Sequence, residues 1–347
     1  MFDYRTHKAQ RFCSVAILTV AVLLPWPVGA NATAGQSQLQ PVPPGVPTDT
    51  RIVVNIPAFR MDLFSAGTLT KSYKVAIGYP EFPLPIGLRT AGTIIFSPSW
   101  TPPHSPWVEK SYKVRPGERI PPGSRLNPLG PIKVPIGLPA LIHGGKHLSQ
   151  IGTFGSHGCV GLTDEEVNDF AKRLAQMGGS QLTDQEIAEY EKNKTETKPF
   201  KLANPVPVEL RYDTITVENA QLCIYRDVYA RGTNTPENVR NVLLSYGINP
   251  DQWTDAQRAV VLQALSQMAK DASGNPVQDT SGAVLKRVAN IKARAKRVVV
   301  TRVIRGPKQE TVPIAALQGK GYPAPVDLDS GAGVVRPPAK TSRRRRR

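Results

Sequence analysis

With 347 residues and a net charge of +17, the chain exceeds one average domain and favours polyanionic partners. Its 33 prolines and 28 glycines predict turns, short strands and linkers, and they argue against a helical bundle. Its three cysteines exclude a disulfide framework, because Cys13 precedes the first apolar run and leaves only two for the mature chain.

The N-terminal segment has the pattern of an export signal. Basic residues between positions 5 and 11 precede an apolar run over residues 14–24, and residues 30–34 offer small-residue cleavage positions. The run is shorter than the ~20 apolar residues that a membrane span needs. We expect residues 1–34 to be a signal peptide, with an uncleaved anchor as the alternative, and residues 35–50 to be a linker. The protein is then exported to the periplasm or cell envelope.

Short β-branched or alternating segments begin at residue 51. Residues 51–56, 60–64, 71–77 and 93–96 are bounded by proline or glycine, which is typical of half-buried strands. They predict a mainly-β domain, either a β-sandwich or an irregular barrel. The Pro/Gly-rich stretch that follows, residues 97–139, contains Trp100 and Trp107, and we expect it to face a substrate.

Helical patterns appear in the second half of the chain. Thr163 and Glu166 form a capping box that opens a helix, and apolar residues at helical spacing continue it. Residues 183–193, 236–246 and 254–272 predict further helices, whereas residues 206–217 and 222–229 alternate like a closing hairpin. Residues 231–310 are therefore expected to be a helical, basic extension, and residues 311–347 a disordered Pro/Arg-rich tail.

One ordered set of residues has the composition of a cysteine active site. The chain reads His143-Gly144-Gly145 and then Ser156-His157-Gly158-Cys159-Val160. A cysteine nucleophile needs a partner that keeps it as thiolate, and imidazole is the usual one, so His143 at the end of a predicted strand is the candidate. The backbone N–H groups of Gly158 and Cys159 could point at a developing oxyanion.

These motifs resemble the signature of the L,D-transpeptidase catalytic domain, the YkuD-like family. The resemblance covers about residues 51–230 and includes residues 99–103 and 127–130, which resemble segments of the family's substrate groove. It implies a YkuD-like β-sandwich with a capping helix after the catalytic cysteine. It also implies that Cys159 is the nucleophile, His143 the base and the Gly144 carbonyl its orienting group, with His157 lining the site. Ser156 and Trp100 would then support or contact the substrate.

The resemblance implies a reaction on peptidoglycan without a cofactor. Cys159 would form a thioester with a tetrapeptide stem and release the terminal D-alanine. A second stem peptide, a lysine of a wall-anchored protein, or water would accept the acyl group. The last case makes the enzyme an L,D-carboxypeptidase.

One residue departs from the family pattern. The position after Val160 usually carries arginine, and here it is Gly161. Arginine offers a permanent charge and five donors to a carboxylate, so its loss affects how the stem peptide is held. Gly161 is therefore a candidate substrate-binding position whose function a basic residue elsewhere could supply.

Other functions fit parts of the pattern. A catalytically impaired peptidoglycan-binding protein would keep the fold without the activity. His143, His147, His157 and Cys159 are all able to bind zinc, but their spacing matches no common zinc site. The basic C-terminus suits anionic envelope polymers better than nucleic acid, because no nucleic-acid-binding fold is visible.

Overall fold

The structure, a computed structural model, describes residues 45–111, 113–277 and 300–328. The expected signal peptide, most of the expected linker and the arginine run at the C-terminus lie outside these residues. The described chain is mainly β, as predicted, with thirteen strands in three sheets. None of its described helices is long and apolar enough to cross a membrane.

The largest sheet carries most of the fold. Its strands are β1 (Arg51–Asn55), β2 (Arg60–Ser65), β3 (Thr68–Lys74), β5 (Gly87–Phe96), β6 (Ile132–Pro135), β7 (Leu141–His143), β9 (Val160–Gly161) and β10 (Lys198–Arg211), and a separate parallel pair is formed by β4 (Ile77–Gly78) and β8 (Phe154–Ser156). The order across the large sheet is β3–β2–β1–β10–β5–β6–β7–β9. The pairs β1–β10 and β7–β9 are parallel, and the others are antiparallel.

Three helices belong to this part of the chain: α1 (Pro106–Glu109), α2 (Asp164–Met177) and α3 (Asp184–Lys192). Helix α2 begins where the capping box predicts, since the Thr163 hydroxyl accepts from the Glu166 backbone N–H and the Glu166 carboxylate accepts in return. Its buried face includes Val167, Phe170 and Leu174, which join the main core with residues of the large sheet. This packing holds the start of α2 next to the strands that carry the cysteine motif.

Strand β10 lies in the middle of the sheet although it contains three prolines. Its pairing with β5 is interrupted by a register shift between Lys201 and Val206, and Pro205 falls inside that irregularity. A proline cannot donate to a strand ladder, so a bulge is where a central strand tolerates it. The predicted hairpin, which starts at residue 206, is wrong for this strand because β10 starts at Lys198 and pairs with β1 and β5.

The C-terminal part is a mixed α/β layer rather than a helical extension. It contains β11 (Ile215–Glu218), β12 (Gln221–Tyr225), α4 (Pro236–Ser245), α5 (Asp255–Met268) and β13 (Gln309–Pro313). The three strands form one antiparallel sheet, and a second apolar core joins them to both helices. The expectation of a disordered tail from residue 311 is therefore wrong for residues 311–328, which include most of β13.

Two sets of contacts tie this layer to the large sheet. Arg60 of β2 bonds Asp62 at 2.9 Å and Glu218 of β11 at 2.8 Å, and all three side chains are buried. The segment 300–308 returns to the large sheet's core through Ile304, and Thr301 bonds the carboxylate of Glu81. Residues 300–308 thus pack against the part of the chain that carries the large sheet.

Candidate active site

The parallel pairing of β7 and β9 brings the histidine and cysteine motifs together. Ile142 lies opposite Val160 and His143 opposite Gly161, and the Leu162 N–H donates to the His143 carbonyl at 2.8 Å. Cys159 directly precedes β9, so the alternation of a strand puts its side chain on the face that Gly161 and His143 share. The expectation that two neighbouring strands bring His143 and Cys159 together agrees with this register.

The His143 imidazole is neutral and is oriented by the backbone. Its Nδ1 lies 2.7 Å from the Gly144 carbonyl, and because a carbonyl only accepts, Nδ1 carries the proton and Nε2 is left to accept one. Burial, and to a smaller extent the positive charge of Lys146, lowers the pKa of His143 to about 3, although hydrogen bonds to the backbone of Gly144 and Leu129 oppose this shift. The imidazole is therefore uncharged at neutral pH.

The two described cysteines differ in their surroundings. Burial raises the pKa of the Cys159 thiol, while a hydrogen bond with the Leu141 backbone and the charge of Lys146 oppose the rise. Cys159 is partly accessible, whereas Cys223 is buried in β12, where burial raises its pKa to about 12. Cys159 thus rests as a thiol, which differs from the thiolate expected from the sequence, and Cys223 is a core residue.

The Ser156 hydroxyl organises the turn before the cysteine. It donates to the Cys159 carbonyl at 2.6 Å and accepts from the Cys159 N–H at 3.0 Å. The turn also needs Gly158, whose φ of 105° is unfavourable for other residues. Because the Cys159 N–H is engaged by Ser156, the sequence-based assignment of this N–H to an oxyanion hole is wrong for this conformation.

Glycine is required behind His143 because the start of α2 packs there. A Cβ at Gly144 would stand 2.8 Å from Val167 Cγ1 and 3.0 Å from Asp164 Oδ1. The same Asp164 oxygen accepts from the Gly145 N–H at 2.7 Å. The first residue of α2 thus holds the loop whose Gly144 carbonyl orients the His143 ring.

An aromatic wall lies against His157. The His157 ring stacks on Trp107 with centroids 3.9 Å apart, and it also contacts Tyr79 and Phe82. Burial against these rings lowers the pKa of His157 to about 4, with further contributions from Lys146 and Arg302, although one side of the residue stays exposed.

Trp100, the tryptophan that the sequence assigned to the site, is separated from His157 by one aromatic ring. Trp100 stacks on Trp107 with centroids 6.1 Å apart, so Trp107 is the residue that touches His157; the sequence placed Trp107 in the substrate-facing loop but did not single it out as a site residue. Of the two loop segments expected to line a groove, residues 127–130 are held next to the start of the other, since the Asn127 side chain donates at 2.8 Å to the carbonyl of Pro98, which directly precedes residues 99–103.

Lys146 occupies the space beside Gly161. A Cβ at Gly161 would stand 2.6 Å from both Cγ and Cε of Lys146, and the ammonium donates to the Gly155 carbonyl at 2.9 Å. Gly161 is thus covered by the lysine stem, and its sequence-based assignment as a substrate-binding position is not supported. The sequence offered one signal for this arrangement: Lys146 stands close to His143 in a chain that lacks the arginine expected after Val160.

The residues considered for zinc do not form one site. His147 is exposed at the start of a short 3₁₀ turn, where its Nδ1 accepts from the Ser149 N–H. Within residues 45–111, 113–277 and 300–328, no three His, Cys, Asp or Glu side chains lie close enough to hold a metal ion. The charge of Lys146 instead acts on both the Cys159 thiol and the neutral His143 imidazole, and a thiol with a neighbouring base is a set suited to acyl transfer.

Comparison with known proteins gives a family for this part of the chain. No curated protein matches. The solved structures that match include the Ldtfm–avibactam carbamoyl enzyme, at 16% identity over 48% of this chain and 49% of that chain, with a TM-score of 0.31. The catalytic domain of the E. faecium L,D-transpeptidase matches at 16% identity over 48% of this chain and 100% of that chain, with a TM-score of 0.32. An L,D-transpeptidase from Mycobacterium smegmatis matches at 14% identity over 47% of this chain and 58% of that chain, with a TM-score of 0.28. The match spans about half the length of the first of these. Residues 49–208 match the model of the YkuD family, the L,D-transpeptidase catalytic domain, and this match confirms the resemblance drawn from the sequence.

Proposed function

We propose that this protein is a peptidoglycan L,D-transpeptidase that transfers an acyl group through a thioester on Cys159. The observation that carries the proposal is the β7–β9 register, in which His143 is opposite Gly161 and shares a face with Cys159. The YkuD match over residues 49–208 supports the reaction class. The neutral, oriented imidazole supports a mechanism in which His143 removes the thiol proton.

The first half of the reaction forms the thioester. Cys159 Sγ attacks the carbonyl of the L-centre of diaminopimelate in a tetrapeptide stem, and Nε2 of His143 takes the thiol proton. The C–N bond to the terminal D-alanine then breaks, and the proton on His143 passes to the leaving amine. D-Alanine departs, and the stem remains attached to Cys159 through an S–C bond.

The second half restores the enzyme. An amine attacks the thioester carbonyl, loses a proton to His143, and the S–C bond breaks as Cys159 recovers a proton. The acceptor is a second stem peptide or a lysine of a wall-anchored protein; attack by water is the alternative and gives an L,D-carboxypeptidase. Export to the periplasm or cell envelope is part of the proposal, as is contact of the basic C-terminus with anionic envelope polymers.

Product analysis separates these possibilities. The purified full chain is incubated with stem tetrapeptide, and the products are identified by mass spectrometry. We expect D-alanine release together with a dimer mass, no reaction with Cys159→Ala, and full reaction with the matched control Cys223→Ala. D-Alanine release without a dimer indicates the carboxypeptidase. Stem-peptide binding without any release by the unaltered protein indicates the impaired wall-binding alternative and contradicts the proposal.

A further inference from the structure

Lys146 and Gly161 form a matched pair at the site. The lysine stem lies where a side chain at position 161 would project, since a Cβ there would meet three of its carbons within 3.0 Å. The ammonium ends on the Gly155 carbonyl, and the Lys146 backbone N–H donates to the Leu162 carbonyl at 3.1 Å. Both ends of the residue are therefore anchored to the segments on either side of Cys159.

The groups that surround Cys159 differ in charge. His143 and His157 are neutral at pH 7, because burial lowers both pKa values. The Asp164 carboxylate accepts from the Gly145 N–H behind the histidine, and Arg302 is exposed and acts on His157. Within the part of the chain that the structure describes, Lys146 is the cation whose charge acts on the Cys159 thiol; burial lowers the pKa of Lys146, and Cys159 opposes that shift.

We propose that Lys146 is a positioning residue that supplies the positive charge opposite the Cys159 sulfur, and that glycine at 161 is needed to admit it. When Cys159 gives its proton to a neutral His143, the negative charge develops on Sγ beside the ammonium that Gly155 holds. A fixed cation next to a developing anion stabilises it without reorganisation. The inference rests on the proposed function only in taking Cys159 as the nucleophile.

The thiol titration of Cys159 tests this directly. Alkylation by the neutral reagent iodoacetamide is followed against pH, and peptide mass spectrometry separates Cys159 from Cys13 and Cys223. We expect Lys146→Met to raise the alkylation midpoint by about one pH unit or more, because an adjacent cation lowers a thiol pKa by roughly that amount. Lys146→Arg keeps the positive charge, so its alkylation midpoint should stay close to that of the unaltered protein.

A second test moves the positive charge from position 146 to position 161. Gly161→Arg alone should displace Lys146, whereas the double variant Lys146→Ala with Gly161→Arg moves the cation to the neighbouring strand. We expect the double variant to have a lower alkylation midpoint than Lys146→Ala alone. Should Lys146→Met fail to fold by circular dichroism, Lys146→Gln replaces it, since the amide can still donate to Gly155 without carrying charge.

An unchanged alkylation midpoint in a folded variant with an uncharged residue at position 146 would overturn the inference. A double variant whose alkylation midpoint is no lower than that of Lys146→Ala would also overturn it. The titration needs no substrate, so it is independent of whether the protein releases D-alanine. A protein that fails the product analysis yet shows the shifted midpoint refutes the transpeptidase proposal and keeps this one.

Discussion

The indole of Trp107 lies flat on the imidazole of His157, with planes 13° apart and centroids separated by 3.9 Å. Trp107 belongs to the four-residue helix α1 in the Pro/Gly-rich loop, and His157 precedes Gly158 and Cys159. The stack therefore ties the loop to the cysteine turn. Because the pKa of His157 is lowered to about 4, the ring takes part as a neutral aromatic surface at pH 7.

Removal of this stack should weaken use of the stem peptide. Aromatic pairs contribute about 0.5–1.5 kcal/mol beyond burial, so Trp107→Ala should lower kcat/KM for the tetrapeptide by about two- to tenfold. Trp107→Phe is the matched control and should keep most of the activity. Iodoacetamide alkylation of Cys159 should change little in either variant. A kcat/KM equal to that of the unaltered protein would show that the stack has no role in catalysis.

Acid should destabilise the fold through His143. Its pKa is about 3 in the folded protein and 6.5 when unperturbed, so the unfolded chain takes up this proton first as the pH falls. The stability is present above pH 6.5 and is lost towards pH 3, about 3 kcal/mol of it by pH 4. Urea unfolding at pH 7 and pH 4 measures this loss.

Two variants separate His143 from other titrating groups. His143→Asn should show a smaller loss of unfolding free energy between pH 7 and pH 4 than the unaltered protein. His147→Asn alters an exposed histidine and should show the full loss. Equal losses in all three proteins would mean that His143 does not carry the acid sensitivity.

Glu218 should be important for the stability of the fold although it lies far from His143 and Cys159 in the sequence. It accepts from Arg60 at 2.8 Å and from the Tyr225 hydroxyl at 2.8 Å, with both partners buried. Loss of one member of a buried ion pair costs about 3–5 kcal/mol, so Glu218→Ala should lower the free energy of unfolding by that order. Glu189→Ala, which removes an exposed pair with Lys192, should leave it unchanged. Similar stability of the two variants would contradict this prediction.

The segment 300–308 should support the large sheet through one side chain. Ile304 is 9% exposed and belongs to the main core, whereas its neighbour Val303 is 69% exposed. Ile304→Ala should cost about 2 kcal/mol or more, and Val303→Ala less than about 0.5 kcal/mol. Thermal unfolding of the two variants makes the comparison. Equal melting temperatures would mean that this segment does not stabilise the domain.

The parts of the site that were predictable from the sequence are those set by local chemistry. The capping box of Thr163 and Glu166 identifies the start of α2, and the order of His143 and Cys159 identifies the two motif strands. The missing arginine indicates that a basic residue elsewhere could take its place, but it does not identify Lys146 as that residue, because the contact of Lys146 with Gly161 depends on the parallel pairing of β7 and β9.

The errors in the fold also have physical reasons. Pro205 and Pro207 argue against a central strand by local propensity, yet the bulge in β10 accommodates the interruption and tertiary pairing extends the strand. The strand β13 reads as part of a polar, charged tail in the sequence, and in the structure it pairs antiparallel with β12. Both cases depend on partners distant in sequence, which local periodicity does not report.

The central claim is that Cys159 carries the acyl group after His143 removes its proton, and the trapped intermediate tests it most directly. The full chain is mixed with stem tetrapeptide, quenched in acid within the first turnover, and analysed by intact mass and peptide mapping. We predict one stem acyl group per chain, located on Cys159, and its accumulation should slow by orders of magnitude in His143→Ala. D-Alanine release from Cys159→Ala at the unaltered rate, or an acyl group on another residue, would contradict the account.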